Sequence, residues 1–153
     1  MSFSFINLLE IGDPARFQAE IDSIVARTWP AFLLGNKVLK ESYNELLALF
    51  PQYQFCMLEN ERIVGIANGI SLAWNSGLQY LPPDGWEWAI TKGINDKHNG
   101  IEANTFAALS ITINPDYQGK GISRLIIDEM KKLTKNEGLH KIIVPLRPTL
   151  KAS

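Results

Sequence analysis

Apolar residues along this chain change their spacing several times, and each change marks a new element. Residues 3–9 read as a first strand. Gly12, Asp13 and Pro14 then form a helix start, with Asp13 as N-cap and Pro14 at the first helical position. Phe17, Ile21, Ile24 and Val25 recur at helical spacing up to Trp29 and Pro30, where the proline stops the helix. A second helical pattern covers 40–50 and closes at Pro51. Two strands, 53–59 and 62–71, are joined by a turn at Asn60 and Glu61.

Residues 74–105 make a connection far above ordinary loop length, so this excursion is expected to carry structure of its own. Pro82, Pro83 and Asp84 can start a helix through Trp86, Ala89, Ile90 and Ile94 that ends near Asn99 and Gly100. Trp74, Tyr80, Trp86 and Trp88 gather here, either as a wall over an acceptor site or as a cluster packed on itself.

Residues 106–113 are the next strand. Ala107, Leu109, Ile111 and Ile113 alternate with Phe106, Ala108, Ser110 and Thr112, and two mostly apolar or small faces predict a central position. A helix follows a turn, with Ile122, Leu125, Ile126, Met130 and Leu133 on one side. Asp128, Lys131, Lys132 and Lys135 lie on the other, and Gly138 caps the end. The last strand, 140–146, departs from regular pairing at Pro145. Periodicity alone supports a mixed α/β domain.

Composition narrows the class. A chain of 153 residues, 46% of them hydrophobic, suits one domain over 1–153 with one core. A net charge of −1 favours neither nucleic acid nor an anionic membrane as partner. No apolar run approaches the roughly 20 residues of a membrane span, and the first residues lack a signal-peptide pattern, so a cytoplasmic protein is expected. Cys56, the only cysteine, can form no internal disulfide and reads as a buried structural thiol. His98 and His140, far apart with one cysteine, give no metal-ligand spacing, and no metal is expected.

The chemistry is concentrated where the strand breaks at Asn114 and Pro115 and re-enters a helix through Gln118, Gly119, Lys120, Gly121, Ile122, Ser123 and Arg124. The glycines allow positive φ and close approach to the main chain. The helix start offers unpaired N–H groups and a partial positive charge, which suits a pyrophosphate, with Lys120 and Arg124 at the rim. Neither a Walker loop nor the three-glycine dinucleotide fingerprint can be read here.

This stretch resembles the acetyl-CoA signature of the GNAT superfamily of N-acetyltransferases: Arg or Gln, two residues, Gly, one residue, then Gly or Ala. Gln118 and Gly121 match, while Ser123 departs from Gly or Ala but is small. The resemblance implies a mixed, mostly antiparallel central sheet flanked by helices. It also implies acetyl-CoA, or another acyl-CoA, as cosubstrate and an amine as acceptor. The main chain at Ile111, Thr112 and Ile113 would meet the pantetheine arm, the amide of Ile111 would face the thioester carbonyl, and the amides of residues 119–123 would hold the pyrophosphate.

Acyl transfer also needs a base to keep the amine neutral. The resemblance allows a carboxylate on the strand before the turn, but 106–113 contains none. Glu102 is the nearest upstream acid and the candidate base, with Glu87 behind it. A water chain ending at Ser110 or Thr112 is the alternative. The same resemblance implies a further helix and strand pair after the last strand, including a tyrosine that protonates the leaving thiolate. Only Arg147 to Ser153 remain for it, so these C-terminal elements are expected to be missing, which predicts self-association. Acetyl transfer to a small-molecule amine is the leading expectation, and a non-catalytic acyl-CoA-binding or sensing module is the alternative.

Overall fold

The computed structural model describes residues 3–7, 14–28, 37–74 and 85–144. The starts and stops expected at Gly12, Asp13, Trp29, Pro30 and residues 82–84, together with Pro145 and all that follows it, lie outside them. The element order is β1 (Phe3–Asn7), α1 (Pro14–Thr28), α2 (Lys37–Leu49), β2 (Phe55–Glu59), β3 (Arg62–Leu72), α3 (Gly85–His98), β4 (Thr105–Ile113), α4 (Ile122–Asn136) and β5 (Lys141–Ile143). The five described strands form one sheet in the order β1-β2-β3-β4-β5. Its first three pairings are antiparallel and the last, β4 with β5, is parallel.

The β2–β3 hairpin turns on Asn60 and Glu61, both at positive φ (50° and 71°) as a two-residue loop requires. Tyr53, expected at the start of a strand, belongs instead to a single 3-10 turn, Pro51–Tyr53. The proline fixes φ and directs that turn. Tyr53 is buried edge-on to Phe106, with ring centroids 5.1 Å apart.

The alternation expected along β4 holds only in part. Asn68 pairs with Ser110 but its neighbour Gly69 pairs with Ala108, so Leu109 is an extra residue in β4 and the phase of the faces shifts there. Gln54, fully buried, braces this bulge. Its Nε2 donates to the carbonyls of Gly69 (2.7 Å) and Phe50 (2.9 Å), and its Oε1 accepts from the Gly69 amide (3.2 Å). A Cβ on Gly69 would overlap the Phe106 ring.

Among the described residues two apolar clusters form the core. Ile21 and Ile24 of α1 join Cys56, Leu58, Ile63 and Ile66 in the smaller one. Ile122, Ile126 and Met130 of α4 join Val64, Ala67, Phe106 and Leu109 in the larger one. A Cβ on Gly65 would stand 2.6 Å from Ile126 Cδ1, so the glycine lets α4 lie close on β3. Leu125, expected on the apolar face of α4, is 38% exposed, and Thr134 is buried in line with Met130 instead.

The excursion is tied down at both ends. The Asn104 side chain accepts from the Trp74 amide (2.9 Å) and donates to the Trp74 carbonyl (3.2 Å). Asp96 of α3 accepts from the Ala73 amide at 3.0 Å. Trp74 packs edge-on to Trp88 with ring centroids 4.9 Å apart, so these two aromatics form a cluster within the protein. Tyr80 and the Trp86 side chain lie outside the described residues.

Candidate functional site

The exit of β4 is built around Asn114, which is buried. Its amide donates to the Val64 carbonyl at 2.9 Å and its side-chain Nδ2 to the Ile63 carbonyl at 2.9 Å. Its Oδ1 accepts from the Asp116 amide at 3.0 Å, which sets a 3-10 turn over Pro115–Tyr117. The chain then passes an extended Gln118 and two left-handed glycines, Gly119 (φ 79°) and Gly121 (φ 75°), before α4 begins at Ile122.

A Cβ at either glycine would meet nothing within 4 Å, so the backbone conformation is what requires glycine there. Gly121 is the N-cap of α4 and no side chain caps the helix. The first-turn N–H groups therefore open onto the turn, where a phosphate can accept from them. Gln118, Gly119, Lys120, Gly121, Ser123 and Arg124 are exposed. Ile122 is buried beneath them, so only its main chain can serve a ligand.

The rim is cationic. Lys120 Nζ lies 5.3 Å from the centre of the Tyr117 ring, and the Arg62 guanidinium 5.7 Å from it. Asp116 faces Arg27 of α1 and Arg62 of β3, each at 3.7 Å. Neither arginine stands out in the sequence as a partner of the turn, because they arrive from segments remote from it. These residues fit a pyrophosphate: uncapped helix amides, glycines that bring the backbone to the surface, and cations around them.

Upstream, β4 pairs with β3 over its whole length, but with β5 only at Thr105–Ala107 against Lys141–Ile143. From Ala108 to Ile113, which includes Ile111, Thr112 and Ile113, no described strand lies along that edge. An extended arm could pair with main chain there, as with a sheet edge. Ile111 and Ile113 are half-buried and Thr112 is buried. Glu102 is exposed and precedes β4, at the end of the strand opposite the glycine turn.

Burial pushes the Cys56 thiol up to about 12, with a further rise from the Glu20 carboxylate, which suits a core thiol and not a nucleophile. Tyr53 is also raised, first by burial. Among the described residues no cluster of three or more His, Cys, Asp or Glu could hold a metal, and no helix is long and apolar enough to cross a membrane.

A profile of the Acetyltransferase (GNAT) family matches residues 19–152. A curated relative, arginine N-acetyltransferase avaD of Aspergillus versicolor, is 29% identical over 132 residues, 81% of this chain and 46% of its own length. The chain thus spans about half the length of that relative. Among solved structures, the loading GNATL domain of CurA from Lyngbya majuscula superposes with a TM-score of 0.66 at 15% identity, over 94% of this chain and 64% of that one. A GNAT family acetyltransferase from Brucella melitensis, in complex with acetyl-CoA, gives a TM-score of 0.56 at 14% identity, over 94% of this chain and 75% of that one. The structural likenesses speak for the fold, and the profile covers most of the sequence, including the glycine turn: the chain belongs to the GNAT acetyltransferase family.

Proposed function

We propose that residues 1–153 act as one acyl-CoA-binding domain that transfers an acetyl group from acetyl-CoA to an amine of a small molecule. The observation that carries this reading is the succession, on one strand, of an edge at 108–113 with no described strand beside it and a glycine turn that opens an uncapped helix. In this assignment Gln118, Lys120 and Arg124 flank the diphosphate, the amides of 119–123 bind it, and 111–113 align the arm. Acetyl-CoA, when bound, supplies the activated acyl group. The chain's part is to orient that group and the amine and to limit water around them.

The relative's name makes arginine the first acceptor to test. Glu102→Gln tests whether the sequence-assigned carboxylate takes the amine proton. The lone buried thiol suits a reducing cytoplasm, where we place the activity. Light scattering tests the expected self-association.

The deciding experiment combines acetyl-CoA calorimetry with thiol release across an amine panel that includes arginine. Binding with turnover supports acetyl transfer. Binding without turnover on any amine would instead leave a sensing module, and no binding would refute both.

A further inference from the structure

We infer that Asn68 and Ser110 form the site that orients the acceptor amine. The inference rests on the acetyl-transfer reading and adds to it the groups that hold the nucleophile. Asn68 Nδ2 donates to Ser110 Oγ at 2.9 Å across the β3–β4 pair that immediately precedes the bulge. Both residues are buried, at 9% and 3% exposure. Asn68 Oδ1 is closed to solvent and has no hydrogen-bond partner among the described residues. An unpaired buried amide end costs about 1–3 kcal/mol, so a fold that keeps one on its central strands has a use for it.

Position supports that use. Ile66, two residues before Asn68 on the same face of β3, packs with Ile21 and Ile24 of α1. Gly65 and Ala67, on the opposite face, meet α4, whose N-terminus forms the glycine turn. Ser110 lies on the stretch of β4 that β5 does not pair. A donor lying along that edge has the turn on the α4 face and the Asn68–Ser110 pair on the α1 face, so donor and acceptor approach from opposite sides of the sheet.

The groups also suit the chemistry. From Ile63 to Leu72 and throughout β4 no side chain is charged, and burying an ammonium among them would be costly, so the amine binds neutral. Once the Asn68 side chain turns its Oδ1 toward the entering amine, the amine donates one N–H to it and turns its lone pair toward the thioester carbonyl carbon. The N–C bond forms, the C–S bond breaks with its electron pair on sulfur, and the proton lost from nitrogen passes through water to the thiolate.

The test compares wild type with Asn68→Ala, Ser110→Ala and Ser110→Thr, each first shown to melt cooperatively. The readouts are acetyl-CoA affinity, kcat and KM for arginine and other amines, and calorimetric titration of the amine into CoA-loaded protein. Both alanine variants are expected to lower kcat/KM for the amine at least about tenfold, with acetyl-CoA affinity within about threefold of wild type. Ser110→Thr, which keeps the hydroxyl, should retain activity. Should Asn68→Ala fail to fold, the Ser110 pair decides alone. Wild-type amine kinetics in folded alanine variants would overturn the inference, as would equal loss of acetyl-CoA and amine binding. If wild type turns over no amine, the transfer reading fails by itself. The titration then decides: amine heat present in wild type and absent in Asn68→Ala upholds the pair, and no heat in wild type overturns it.

Discussion

Asn114 Nδ2 donates to the Ile63 carbonyl at 2.9 Å, fastening the exit of β4 to the start of β3. The same side chain takes the Asp116 amide, so one buried amide both ends the strand and starts the turn that leads to the glycines.

Replacing it should therefore cost both stability and ligand affinity. Asn114→Ala leaves the Ile63 carbonyl and the Asp116 amide without these partners, a loss of about 1–3 kcal/mol in urea unfolding. Acetyl-CoA affinity should fall as well, because residues 118–124 lose their anchor. Calorimetry and a denaturant titration on one preparation check both effects.

Gly121→Ala separates strain from function. At φ 75° an alanine costs about 1–2 kcal/mol, and its methyl would stand where the proposed phosphate site meets the main chain. Gly138, at φ 73° beyond the far end of α4, is the control. Gly138→Ala should lose similar stability and keep acetyl-CoA affinity, whereas Gly121→Ala should lose affinity at least about tenfold.

The bulge brace makes a third test. Gln54→Ala removes the side-chain partner of both polar groups of Gly69, inside the sheet, and should destabilise by about 2–4 kcal/mol. Gln52→Ala, which removes an exposed bond to Glu137, should change the urea midpoint little.

Alkaline pH should weaken the fold through Cys56. Its folded value is raised to about 12, above the ordinary 9.0, so the folded state holds its proton while the unfolded chain loses it. Stability from this group is complete below pH 9 and declines as pH rises from there toward 12, by up to about 1.4 kcal/mol per unit. Unfolding measured at pH 8, 9 and 10 should show a smaller alkaline decline in Cys56→Ala than in wild type.

The glycine turn is legible in the sequence because φ near 75° all but demands glycine, and because a strand and a helix flank it at once. Helix α3 is legible from its punctuation at Asn99 and Gly100. The bulge is not: Ala107, Ala108 and Leu109 are all apolar, so alternation carries no phase through them. Nor is Asn68 assignable from the chain alone. It is a lone amide in an apolar run, and its meaning comes from Ser110, which only the register brings opposite. Arg27, Arg62 and Asp116 likewise converge by folding and share no local pattern.

The two edges of β4 differ in what they leave undone. One is paired from end to end, and along the other the pairing by β5 stops at Ala107. A ligand that lies along the second edge acts as a temporary neighbouring strand, present only in the folded state. The fold then gains stability with cofactor supply, about 2.7 kcal/mol at a hundred times the dissociation constant. Amide exchange along β4 would report that supply, slowing as acetyl-CoA rises while the β2–β3 hairpin, already paired on both sides, changes less.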